Sequence, residues 1–121
     1  MTDGLETALL VATVLCLISN AVIVCAKLAK ADFVLANVVE VGLEARLVPT
    51  LAAVEGAGVV GIAVGLVGVD VIGLAAAVGL TAFFTIATGA HLRAGVLHSI
   101  GFPMTFLVLA AASAGYFAQQ I

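Results

Sequence analysis

The sequence predicts an all-α protein: an integral membrane four-helix bundle with a short interfacial amphipathic helix between spans one and two. Three observations carry that prediction. Of 121 residues, 64% are hydrophobic and only 9% charged, where a soluble domain carries about a quarter charged residues. Four apolar runs are each long enough to cross a bilayer core, which takes about 20 residues. One shorter, amphipathic run interrupts them.

The first span covers residues 8–26, where threonine, Ser19 and Asn20 are the polar exceptions. The N-terminus opens with Asp3 and Glu6 rather than basic residues. The first span is therefore expected to stay in the mature protein and not to act as a cleaved signal peptide. Its two cysteines, Cys16 and Cys25, are nine residues apart. On a helix they point about 180° apart and lie roughly 13 Å apart along the axis, which excludes a disulfide between them. Both are read as buried structural thiols.

The run "KLAKADFVLANVVEVGLEARLVP" follows. On a helical wheel Asn37, Glu40 and Glu44 share one side, and Val34, Val38, Val41 and Ala45 share the other. This pattern is too short and too polar to cross. An interfacial helix over residues 32–47 is expected, with Asp32 as its N-cap. Its polar side is either a solvated face or a docking face for another protein.

Spans two, three and four cover residues 50–68, 71–90 and 100–118. Pro49 suits the first turn of span two, and Pro103 sits near the start of span four. Only a tight turn at Asp70 separates spans two and three. All four spans must be helical, because open backbone in hydrocarbon leaves polar groups unpaired. The whole chain forms a single membrane domain.

Small residues recur every fourth position in three places. They are Ala53, Ala57, Gly61 and Gly65 in span two, Ala77, Thr81, Thr85 and Gly89 in span three, and Ala110, Ala114 and Ala118 in span four. Such stripes let helix backbones approach closely in lipid. They fit packing within one chain and packing in a homo-oligomer equally well.

Orientation follows from the basic residues. Lys27, Lys30 and Arg46 lie in the first connection and Arg93 in the third. The positive-inside rule then places both connections in the cytoplasm and both termini outside. The net charge of −3 and the lack of a basic run leave no footprint for nucleic acid.

Glu55 is the one acidic residue deep inside a span. It lies six residues past Pro49, about 9 Å from the cytoplasmic end. An ionisable group there costs up to roughly 3 kcal/mol and normally faces the bundle interior with a partner. Lys27, His91 and Arg93 end their spans on that side, and Asn20 lies at a similar depth. Asn20, Lys27, Glu55, His91 and Arg93 form the expected polar cluster. Read structurally, the cluster is a buried ion pair of Glu55 with Lys27 or Arg93. Read functionally, it is the polar floor of an apolar cavity that holds the head of a lipid-soluble ligand or passes a proton. No haem, zinc or phosphate-binding motif accompanies it, so no cofactor is evident.

The "AKL" closing span one, the amphipathic stretch up to Pro49, "VEGAGVVGIAVGL" in span two and "HLRAG" after span three together resemble the DoxX-like family, from about residue 21 to 117. The resemblance implies a compact four-helix bundle in a bacterial inner membrane. It also implies that Lys27, Glu55, His91 and Arg93 belong to one internal cluster. Some relatives are named as membrane subunits of quinone-linked sulfur oxidoreductases or as partners in thiol-redox complexes. Others have no defined activity, and some eukaryotic ones look like membrane chaperones or cargo receptors. This chain has Val96 and Leu97 after "HLRAG", where many relatives are acidic or polar, and no paired cysteines.

Three functions fit these residues. The first is a non-catalytic accessory subunit or assembly factor packing against a larger membrane protein complex. The second is a binder or oxidoreductase subunit for a lipophilic molecule such as a quinone or lipid, with Glu55 and His91 exchanging protons. The third is a small proton-coupled exporter. The small multidrug resistance family has the same outline, but it carries its glutamate in the first span and is richer in aromatics.

Overall fold

The computed structural model describes residues 3–121. Five helices follow one another: α1 (Asp3–Leu28), α2 (Asp32–Glu40), α3 (Val48–Leu66), α4 (Asp70–Ala94) and α5 (Gly101–Gln120). A 3₁₀ turn, Ala45–Leu47, leads straight into α3. Four of the helices are long and apolar enough to cross a membrane, and the chain is a multi-pass membrane protein. α1, α3, α4 and α5 close into a ring in which each packs on two neighbours.

Helix ends explain the connections. After α1, α2, α3 and α4, one residue adopts a left-handed conformation, and the next residue's N–H returns to a carbonyl five residues earlier. These bonds run from Ala31 to Ala26, Leu43 to Val38, Val69 to Val64 and Val96 to His91, at 2.9–3.3 Å. The motif caps carbonyls that the helix cannot reach. Glycine supplies the left-handed residue at Gly42, Gly68 and Gly95, but Lys30 supplies it after α1 with φ 54°.

The amphipathic helix is shorter than its pattern suggests. It stops at Glu40 because Gly42, at φ 89°, turns the chain. Glu44 is then extended before the 3₁₀ turn. Asp32 is the first helical residue rather than the cap, a role that falls to Ala31 without any side-chain bond. Val34 and Val38 are buried with Val48 against Ala26 and Leu51. This seam fixes α2 to the end of α1 and the start of α3.

The two ends of the ring pack differently. Near Gly68, a Cβ added to Gly65 would lie 2.5 Å from the Gly73 Cα, and one added to Gly61 would lie 2.5 Å from the Ala76 Cβ. α3 and α4 therefore touch backbone to backbone. The Phe117 ring of α5, fully buried, fills the notch beside Gly65 and Gly73.

The fourfold small-residue stripes are only partly interior. Gly61, Gly65, Ala77 and Ala110 are buried, whereas Ala53, Ala57, Thr85, Gly89 and Ala118 are exposed. The reason is geometric: a step of four residues advances about 40° around a helix, so three steps carry a stripe off the contact face. Gly58, Gly61 and Gly65, spaced three and four apart, meet α4 instead.

Candidate functional site

The other end of the ring is built around a buried charge. Glu55 is fully buried and its Oε1 accepts from the Lys27 ammonium group. Lys27 sits in the last turn of α1, next to its final residue, and its side chain is 12% exposed. Its Nζ also stands 5.1 Å from the centre of the Phe83 ring, within cation–π range. In hydrocarbon each charge alone is expensive, and each supplies the other's counter-charge.

Asn20 is buried on the same face of α1, but it turns back on its own helix. Its Nδ2 donates to the Cys16 carbonyl at 2.8 Å. Asn20 Oδ1 and Glu55 Oε2 are buried without a hydrogen-bond partner among the described residues.

His91 is buried at the end of α4, where its Nδ1 stands 2.9 Å from the Ala87 carbonyl. Its Nε2 lies 3.5 Å from the Asn37 amide of α2. Asn37 bonds more closely to Ser99 Oγ, at 3.0 Å. Glu40 of α2 pairs with His98 at 2.8 Å. Two thirds of the expected docking face are thus taken up by this chain's own connection between α4 and α5. Glu44, the third member of that set, makes no hydrogen bond to that connection among the described residues and is paired with Arg46 at 3.0 Å. The Arg46 guanidinium holds the Glu44 carboxyl below the usual carboxylate range.

Between α2 and the ring lies a cavity of about 1180 Å³. Its walls are mainly apolar, from Ile23, Leu51, Val54, Phe83, Phe84, Ala87, Ala90, Phe102 and Phe106. Lys27, Asn37, His91 and Ser99 supply the polar lining, with Arg93, Glu40 and His98 also contributing. Arg93 is exposed, and Phe33 is 61% exposed. Glu55 and Asn20 do not line the cavity; Glu55 sits behind Lys27. The expected pairing of Glu55 and His91 across one ligand is therefore replaced by Lys27 and His91.

Two interior hydroxyls were not singled out from sequence, and they join the buried thiol of Cys16. Thr13, Cys16 and Ser113 are fully buried. Each hydroxyl bonds a carbonyl one turn back, at 2.7 Å, and so costs little. Thr13, Cys16, Asn20 and Lys27 are spaced three, four and seven apart, which places them on one face of α1. That spacing was the available signal. Cys16 is buried, but Cys25 is exposed, contrary to the expectation for both. Among the described residues no three His, Cys, Asp or Glu are grouped to hold a metal ion.

A ring of four membrane-length helices, a buried lysine–glutamate pair and an apolar cavity beside it define a small multi-pass membrane protein with an internal site. The chain belongs to the DoxX-like family, whose model matches residues 11–113. No curated protein and no solved structure matches it.

Proposed function

We propose that the protein binds a lipophilic small molecule, such as a quinone or a lipid, in the cavity between α2 and the ring. The cavity itself is the observation that carries this reading. It has room for a drug-sized or larger body, apolar walls, and polar groups confined to Lys27, His91 and their neighbours. The Lys27–Glu55 pair holds the ammonium group at the wall without leaving a free charge in hydrocarbon. The expected setting is the cytoplasmic membrane of a bacterium, with this end facing the cytoplasm because Lys27, Lys30, Arg46 and Arg93 cluster there.

The chain lacks tryptophan, so Phe33→Trp at the cavity wall makes a single-emitter reporter. A brominated long-chain quinone analogue, offered in both quinone and quinol forms, should quench it saturably in at least one of them, at about one molecule per chain. Quenching that only rises in proportion to the membrane concentration of the analogue would overturn the reading.

A second reading is an accessory subunit, favoured by a groove of about 370 Å³ between α3 and α4. Ala57, Gly58, Gly61, Ala76 and Gly79 line it. Such a surface of small residues suits a membrane helix of a larger protein. Gly79 has open space around its Cα, so Gly79→Leu should keep the fold and release such a partner in gentle detergent. A complex that survives this substitution would set the reading aside.

A further inference from the structure

The chemistry of the ligand's head can be taken further from His91, on the basis of the ligand-binding reading above. A backbone carbonyl only accepts hydrogen bonds, so the 2.9 Å contact to Ala87 places a proton on Nδ1 of His91. The neutral ring then offers a lone pair, and no donor, at Nε2. Asn37 does not satisfy that lone pair well. Its amide nitrogen lies 3.5 Å away, at the limit of a hydrogen bond, while its 3.0 Å bond goes to Ser99.

The cation beside this acceptor is already matched. Lys27 is paired with the fully buried Glu55, so the interior end of the cavity has no net charge to offer an anion. Among the described residues that line the cavity, the unpaired positive charge belongs to Arg93, which is solvent-exposed rather than buried at the interior end. An anionic head drawn inside would meet the lone pair of Nε2 and the charge of Glu55 behind Lys27. A neutral hydroxyl meets neither penalty.

We propose that the cavity takes a lipophilic molecule whose head is a neutral hydroxyl donor, an alcohol or a phenol, with the hydroxyl donating to His91 Nε2. The apolar walls hold its body, and Lys27 lies in the same lining to donate to a second oxygen where the head carries one.

Matched probes separate the possibilities. 4-Nonylphenol, its methyl ether and 4-nonylbenzoate share one lipophilic body and differ only at the head. Hexadecanol and its methyl ether repeat the comparison for an aliphatic alcohol. Binding to the full-length protein in detergent is titrated by native mass spectrometry, and the ¹⁵N resonance of His91 Nε2 is followed in parallel. A neutral hydrogen bond corresponds to roughly a tenfold preference. The hydroxyl probes should therefore bind about tenfold more tightly than their ethers, and only they should move the Nε2 resonance. In His91→Phe the preference should vanish while binding persists. A preference confined to 4-nonylphenol narrows the head to a phenol, and one shared with hexadecanol widens it to alcohols.

Equal binding of ether and hydroxyl overturns this inference and leaves the ligand-binding reading standing. Tightest binding of the benzoate also overturns it, and assigns the head to Arg93. Saturable binding by none of the probes overturns both.

Discussion

The two ends of this bundle solve opposite problems with the same helices. At the Gly68 end, α3 and α4 meet at Gly65 and Gly73, and Phe117 seals the notch. At the Lys27 end the same helices carry Val54, Phe83 and Phe84, and the interior opens into a cavity. Lipid tails are as apolar as leucine, so close packing between helices supplies most of what holds a membrane bundle together. Concentrating that packing at one end leaves the other free to separate around the cavity. The charged pair then sits where packing is loosest, and acts as a specific fastener between α1 and α3.

The largest effect should come from unfastening the open end. Lys27→Met leaves Glu55 buried without its cation, and breaking one half of such a pair costs about 3–5 kcal/mol. Removing both, as Lys27→Met with Glu55→Leu, should restore most of that stability. Thermal unfolding in detergent of the two single variants and the double variant measures the coupling. A double-variant loss equal to the sum of the two single losses would mean that the pair fastens nothing.

Next comes the closed end. Gly65→Ala sets a methyl 2.5 Å from the Gly73 Cα, where no side chain can move aside. Overpacking of this kind costs about 1–3 kcal/mol. Gly79→Ala lies on the same pair of helices but meets nothing within 4 Å, and should be neutral or stabilising. Similar midpoints for the two variants would contradict the tight packing of α3 on α4 at the closed end.

A smaller effect concerns the approach to the cavity. Lys30 holds a left-handed conformation between α1 and α2, which strains a residue with a Cβ by about 1–2 kcal/mol. Lys30→Gly relieves that strain, partly offset by the freer unfolded chain. The thermal midpoint should rise, by a shift worth less than about 1 kcal/mol.

The smallest effect belongs to the exposed Glu44–Arg46 pair. With the Glu44 carboxyl lowered in the folded state, its contribution is present above the ordinary carboxylate range and lost as pH falls through the lowered value. Both groups are exposed and screened, so Glu44→Gln should leave the midpoint at pH 7 essentially unchanged.

Much of this architecture was legible because crossing a bilayer imposes length and apolarity on each helix separately. Glu55 also stood out, since a buried carboxylate in a span needs a partner, and both Lys27 and Arg93 were in reach. Choosing between them was not possible from spacing. Lys27 lies on the ring-facing side of α1, and Arg93, near the C-terminal end of α4, is exposed. The end of α2 was missed because Gly42 fits a helical wheel as well as a turn. Cys25 was misplaced because a thiol in an apolar run suits lipid as well as it suits a core. An apolar cavity was one of two readings of the cluster, but its place between α2 and the ring was invisible for a deeper reason. It arises from the distance between helices, which no residue pattern within one helix records.

The most direct test is native mass spectrometry of the protein drawn gently from its own membrane, beside an Ala90→Trp variant that fills the cavity. A small molecule bound to the wild-type chain and lost from a folded Ala90→Trp is the result expected if the open end is a ligand site. A wild-type chain that carries no small molecule, or one that the Trp variant keeps, would contradict it.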